Sequence, residues 1–243
     1  MKIAVLSDIH ANLSALKAVL DDVKSIDCET IFCLGDLALA GPCPNETVDF
    51  IKKQNWTIIQ GNTDKMIAEC SSELIEATKK VFPAMGNSLE QDVKILSKEN
   101  IEFLRKLPAQ RSIEVDGVKI LLVHGSPRRN NEDIMPNLSI DIVENIIEGV
   151  TEDIILCGHT HIPCGYQTNT KKTVINVGSV GRPMTDDAMP CYLVLDVVNG
   201  KFTAEHRFVD YDREMAASIM CKRNFEGAQQ IADMLTMPKS RHV

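Results

Sequence analysis

Short apolar runs that each break off into a polar cluster constrain this chain more than any other feature. Lys2 to Asp8, Thr30 to Asp36 and Trp56 to Gln60 read as strands. After the first, Asn12 reads as a cap and Leu13, Leu16, Ala18, Val19, Leu20 and Val23 as an apolar helical face; after the second, Asn45 to Gln54 reads as a helix. The strand, turn and helix unit recurs without self-similarity of sequence. Polar residues that follow such strands lie where open parallel sheets place their ligand crevices.

Apolar positions at helical spacing then occupy 66 to 81 and 88 to 106, separated by Pro83 and Gly86 and closed by Pro108, so two or three helices are expected between 64 and 107. Asp116-Gly117 predicts a hairpin joining 113–115 to 118–120. Leu121 to His124, Ile154 to Cys157, Val174 to Val177 and Tyr192 to Val197 supply further strands, and Asn199-Gly200 turns the last into Phe202 to Val209. A single terminal helix is expected over about 212 to 235. With no Gly/Ser/Pro linker in its 243 residues, the chain reads as one α/β (α+β) domain over 1–243, two sheets with flanking helices. A globular chain of this length buries roughly 75% of its unfolded surface, enough for a sizeable core.

Charge excludes one class of partner. With 34 acidic against 26 basic side chains the net charge is -8, which disfavours binding a phosphate backbone by counterion release, and aromatic residues, at 5%, offer few stacking platforms for single-stranded bases. Stable nucleic-acid binding is therefore not expected. Asp8 and His10 interrupt the first apolar run too early for an export signal, and no run approaches a membrane span, so a cytoplasmic protein with its eight Cys reduced is expected.

Five polar clusters follow strands in order: Asp8-Ile9-His10, Gly35-Asp36, Gly61-Asn62-Thr63-Asp64, His124-Gly125 and Gly158-His159-Thr160-His161. Singly, each has a structural explanation, such as a helix cap at Asp8, an ordered turn at Asp36 or a left-handed turn at Asn62. Together they place carboxylates, an amide and four of the six His at successive strand ends. That mixture of oxygen and nitrogen donors suits two divalent transition metals, not Ca²⁺ or a thiolate zinc site. His159 and His161, two apart, point to opposite sides of an extended segment and so serve different ions. One shared carboxylate would hold the ions about 3.5–4 Å apart, close enough to acidify a bridging water and clamp a phosphoryl group.

The ordered set resembles the calcineurin-like metallophosphoesterases, specifically their compact bacterial and archaeal phosphodiesterase group, over about residues 1 to 200. The resemblance implies a four-layer sandwich, helices outside two sheets. It also implies that Asp8, His10, Asp36 and His161 hold one metal and Asp36, Asn62, His124 and His159 the other, with Asp36 as the bridge. Mn²⁺ is the expected ion, and Fe, Ni, Co or Zn suit the same ligands. Asp36, Asn62, His124 and Arg182 are expected to carry the reaction, the hydrolysis of a small phosphorylated, nucleotide-like diester. A dinucleoside polyphosphate hydrolase is the alternative, suggested by Gly41-Pro42 after the bridging motif. A non-catalytic scaffold of the retromer kind fits less well, because every expected ligand is retained.

Two positions depart from the wider family. Thr63 stands where most members carry His, and a hydroxyl cannot replace an imidazole as an acid near neutral pH. Ala40 precedes Gly41 where relatives acting on phosphoproteins or dinucleoside tetraphosphates often carry Arg, so phosphate recognition needs another cation. Arg182 is the candidate, in the Gly-rich turn Asn176-Val177-Gly178-Ser179-Val180-Gly181-Arg182-Pro183. Arg128 and Arg129 read as a solvated charged pair, Cys157 and Cys164 as packing residues beside the two His, and Cys43 as lacking a nearby base. His206 and His242 have no companion ligand in sequence. The helices at 64–107 and the terminal helix are the expected contact surfaces if the chain forms an oligomer.

Overall fold

A computed structural model describes residues 1–237; His242 lies outside the described residues. The elements run β1 (Lys2–Leu6), α1 (Leu13–Ser25), β2 (Thr30–Cys33), α2 (Pro44–Lys52), β3 (Thr57–Ile58), α3 (Asn62–Ala68), α4 (Ser72–Val81), α5 (Pro83–Ile95) and α6 (Lys98–Lys106). They continue with β4 (Gln110–Val115), β5 (Val118–Val123), α7 (Ile140–Ile146), β6 (Ile154–Cys157), β7 (Cys164–Gln167), β8 (Thr173–Asn176), β9 (Cys191–Val198), β10 (Lys201–Phe208), α8 (Arg213–Cys221) and α9 (Ala228–Thr236). One sheet has the order β10-β9-β1-β2-β3 and the other β4-β5-β6-β8-β7. β1, β2 and β3 are parallel in the first, and β5, β6 and β8 in the second.

Side-chain alternation explains the layers. Ile3 and Val5 of β1 join Ile120 and Leu122 of β5 and Ile154 and Leu156 of β6 in a core between the sheets. Ala4 and Leu6 point the other way, into a core shared with α1, α2, α8 and α9. Leu121, Val123 and Ile155 pack outward beneath Val143 and Ile146 of α7. Both faces of each sheet's centre are therefore covered, which is why β1, β5 and β6 are nearly continuous apolar runs. Mixed α/β structure with two five-stranded sheets flanked by helices is as expected. No helix among the described residues is long and apolar enough to cross a membrane.

Three readings need correction. Four helices, not two or three, lie between 62 and 106. Pro83 separates α4 from α5 as expected, opening α5 at its first turn, where a missing N–H costs nothing, but Gly86 lies inside that helix. The terminal segment forms two helices with a break before Ala228, where Gly227 takes a left-handed φ of 96°. The third concerns α7 and β7, which the sequence reading leaves unassigned, and β5, which is one continuous strand through Val123.

Candidate metal centre

The five clusters meet at one end of the sandwich because they follow the carboxyl ends of parallel strands in two facing sheets. Asp8 and His10 follow β1, Asp36 follows β2, Asn62 opens α3 after β3, His124 follows β5, and His159 and His161 follow β6. Asp8, His10, Asp36, His159 and His161 all hold left-handed backbone, with φ of 54°, 45°, 56°, 67° and 63°. Asp and His tolerate that region better than most L residues, yet it still costs roughly 1–2 kcal/mol per residue. Backbone bonds between the loops hold it: Asp8 N–H donates to Gly35 O at 3.0 Å and His10 N–H to Asp36 O at 2.9 Å.

Three imidazoles are aimed by the same device. Nδ1 of His10 lies 2.8 Å from Leu39 O, that of His124 2.7 Å from Leu34 O, and that of His161 2.6 Å from Arg182 O. A carbonyl oxygen only accepts, so each Nδ1 carries a proton and Nε2 is the atom each ring presents inward. His10 Nε2 and His161 Nε2 face each other at 3.1 Å. Two lone pairs at that distance repel unless a proton or a metal cation lies between them. Beside them, buried Asp8 Oδ1 accepts no hydrogen bond, although His161 Nε2 is 3.2 Å away and the Nε2 atoms of His10 and His124 are each 3.8 Å away. An orphaned carboxylate oxygen inside a ring of imidazole Nε2 atoms is a donor set that suits a divalent transition metal.

Among the described residues, two groups of ligand atoms lie within 4.8 Å of one another: Asp8 with His10 and His161, and Asp8 with Asp36 and His124. Asp36 Oδ2 stands between them, 3.6 Å from His10 Nε2 and 3.4 Å from His124 Nε2. Asn62 Oδ1 adds to the second group at 3.0 Å from His124 Nε2. His159 stands further out, its ring 5.4 Å from that of His124 and its Nε2 3.4 Å from Asp133 Oδ1.

Electrostatics sort the titratable groups. Burial pushes Asp8 upward, but His161 and His124 outweigh it and hold the carboxyl well below the usual carboxylate range. Asp36 is likewise lowered, with His124 and His10 overcoming burial. Burial, reinforced by the positive Arg182 and by His161, lowers His10 to about 3. Burial opposes the charge on His124, yet Asp36 and Asp8 raise it to about 10. The ion-free centre therefore concentrates its proton on His124.

Other residues fix the frame. Asp64 is wholly buried and accepts N–H bonds from Asp36 at 2.8 Å, Leu37 at 2.8 Å and Gly61 at 2.9 Å, tying the second and third clusters together. Sequence reading places Asp64 in a cluster without giving it this role; its capping-box position three residues after Gly61 was the available signal. Asp133 carries no sequence signal and is found only through His159. Thr63 donates its N–H to Asp36 Oδ1 at 2.8 Å, while its buried hydroxyl has no hydrogen-bond partner. Arg182 is buried, and its carbonyl orients His161. Arg128 and Arg129 are exposed, in keeping with a solvated charged pair, and both bond to Glu132, at 2.6 and 3.1 Å. Cys157 lies in the core beneath α7, away from the imidazoles. His206 Nε2 bonds Asn176 O at 2.7 Å, a structural use.

Two cavities open beside the centre. One of about 460 Å³ lies between Arg182–Met184 and α9 on the His161 side, and one of about 220 Å³ lies among His124, Gln110 and Ser126–Asn130.

Residues 1–200 match the model of the calcineurin-like phosphoesterase superfamily domain. An uncharacterized protein of Methanocaldococcus jannaschii is 33% identical over 228 residues, covering 88% of this chain and 89% of its own. The fold is shared with a hypothetical protein from Pyrococcus horikoshii (TM-score 0.87, 21% identity) and a metallophosphoesterase from Sphaerobacter thermophilus (TM-score 0.77, 23% identity), each match covering 98% of both chains.

Proposed function

The chain belongs to the calcineurin-like phosphoesterase superfamily, and from that premise we propose that it is a two-cation phosphodiesterase acting on small, nucleotide-like phosphate esters. Asp8, His10, Asp36 and His161 are assigned to one cation and Asp36, Asn62, His124 and His159 to the other, with Mn²⁺ the preferred ion and Fe, Ni, Co or Zn also suited to the donors. When bound, such cations supply Lewis acidity, acidifying a water and neutralising phosphoryl charge. The observation that carries the reading is the orphaned Asp8 Oδ1 among inward-facing imidazole nitrogens.

The chain's own residues set the rest. Three Nδ1–H bonds to carbonyls fix the rings in the tautomer that leaves Nε2 free to ligate. Thr63 N–H holds Asp36 Oδ1 and so directs Oδ2 toward both His10 and His124. Arg182 brings a permanent positive charge to the His10 side, where it meets the charge that builds on the phosphoryl oxygens. Thr63 offers no acid, so leaving groups that depart unprotonated are favoured. Cavities beside both His161 and His124 support a diester, whose phosphorus carries two organic arms.

The test is a panel of aryl diesters, aryl monoesters and dinucleoside polyphosphates run on Mn²⁺-reconstituted protein. Diester hydrolysis that a chelator abolishes and Mn²⁺ restores is expected. Activity confined to monoesters or to dinucleoside polyphosphates refutes the diesterase assignment, and chelator-insensitive activity refutes the two-cation reading.

A further inference from the structure

The larger cavity is bounded by a helix outside the matched family region. α9 supplies Gln230, Asp233, Met234 and, just past its end, Met237, while the turn after β8 supplies Arg182, Pro183 and Met184. The four positions 230, 233, 234 and 237 recur at i, i+3, i+4 and i+7, so they share one helical face. Another face of α9, carrying Ala228, Ile231, Ala232 and Leu235, is buried in the main core. The helix is therefore anchored on one side and presents a defined set of side chains to the cavity on the other.

The cavity and the candidate metal centre share one residue at their boundary. Arg182 lines the cavity and also accepts the His161 Nδ1–H at 2.6 Å, and the Met184 N–H bonds His161 O at 3.2 Å. A ligand with its phosphoryl group at the centre and an organic arm directed past Arg182 would bring that arm to this space. About 460 Å³ is far more than a phosphate needs and lies within the range of small-molecule pockets. Three thioethers and a proline ring make adaptable apolar walls that suit flat aromatic faces. Gln230 adds an amide donor and acceptor, and Asp233 a carboxylate, one oxygen of which accepts from Gln229 Nε2 at 2.7 Å; these suit the polar edge of a heteroaromatic ring. An alkyl chain has no use for those two groups, and a sugar has no flat face for the thioethers.

We propose that this cavity receives the base of a nucleotide-type ester, and that the α9 face built from Gln230, Asp233, Met234 and Met237 sets the enzyme's substrate preference. The proposal deepens the phosphodiesterase reading and rests on it.

Two esters with the same leaving group isolate the pocket: thymidine 5′-(4-nitrophenyl) phosphate and methyl 4-nitrophenyl phosphate, assayed with the Mn²⁺-loaded protein. A well-fitted apolar pocket discriminates by about tenfold or more, so wild-type kcat/KM should favour the thymidine ester by at least that ratio. Met234→Trp, which fills the cavity, should bring the ratio close to one; Met234→Leu, which keeps its volume and apolarity, should preserve it. Circular dichroism establishes that both variants are folded. Calorimetric binding of thymidine 5′-monophosphate gives a second readout, with about tenfold weaker binding expected for Met234→Trp than for wild type. A wild-type ratio near one, a folded Met234→Trp that keeps the ratio, or equal losses in both variants overturns the proposal. If neither ester is hydrolysed, the hydrolase reading fails and calorimetry decides the pocket: binding that Met234→Trp leaves unchanged overturns it, and binding that it weakens supports it.

Discussion

Adding one methyl group at Gly61 tests how closely the second and third clusters are fitted together. Its φ of -82° and ψ of 171° are open to any residue, so Gly61→Ala introduces no backbone strain. What it introduces is contact: the new Cβ would lie 2.0 Å from Asp36 Oδ1 and 2.2 Å from Asp36 N, against 3.4 Å for ordinary contact. Asp36 cannot swing clear by a rotamer change alone, because one obstacle is its own backbone nitrogen, which is already bonded to Asp64. One loop must retreat by more than 1 Å. Overpacking of this kind costs about 3 kcal/mol, which in a domain of this size lowers Tm by about 6–12 °C. Asp36 moves with its loop, and a 1 Å error at a reacting centre costs about 100-fold in rate. Gly165→Ala in β7 is the control, since the nearest atom to its new Cβ would be Val174 O, 4.0 Å away. Scanning calorimetry of the ion-free proteins, elemental analysis of bound metal and diester hydrolysis read the three consequences. A Gly61→Ala protein that matches the control in Tm, ion content and rate would refute the fit on which the Asp36 position depends.

Further outcomes follow from the same geometry. Asp36→Asn should lower ion content at both positions and reduce activity about 100-fold or more, and full retention of both by elemental analysis and assay rules out the bridge. The ion-free protein should lose stability in alkali: the His124 pKa is raised from 6.5 to about 10, so its contribution is complete below pH 6.5 and disappears as pH rises through about 10. Melting curves for His124→Asn should lack that loss, and superimposable profiles defeat the argument. Rates for a series of aryl diesters should depend steeply on leaving-group pKa, and Thr63→Val should leave the slope unaltered, because the hydroxyl it removes donates no proton. A shallow slope in the natural protein means that another group supplies the proton.

The sheets were legible because strands buried on both faces must be almost wholly apolar, and β1, β2, β5, β6 and β9 are, interrupted by Lys2, Thr30, Lys119 and Asp196. The helical region was less so. Pro83 marks one break, between α4 and α5, but Gly86 lies inside α5, and two further breaks fall at Ser71 and Ser97, whose hydroxyls cap α4 and α6 by accepting N–H bonds from Leu74 and Asn100. β7 escaped notice because its edge position leaves Gly165 and Gln167 exposed, and α7 because two turns are too short to establish a period.

At the candidate metal centre, residue type and order were legible and aim was not. A histidine in a sequence does not say which ring nitrogen faces the ligand; that depends on Leu34, Leu39 and Arg182, which act through backbone carbonyls and so leave no trace in their side chains. Nor does an aspartate reveal left-handed backbone. Five candidate ligands occupy that costly region together, each supported by bonds from a neighbouring loop, so the centre behaves as one unit. Asp64 is the clearest case of a residue acting through others, since it touches no candidate ligand's donor atom and yet fixes Asp36 and Gly61 by their backbones. Removing its carboxylate would strand three buried N–H groups at once, a larger disturbance than losing a single ligand's contact. The chemistry of the site therefore depends on carbonyl and amide positions as much as on the side chains that sequence patterns detect.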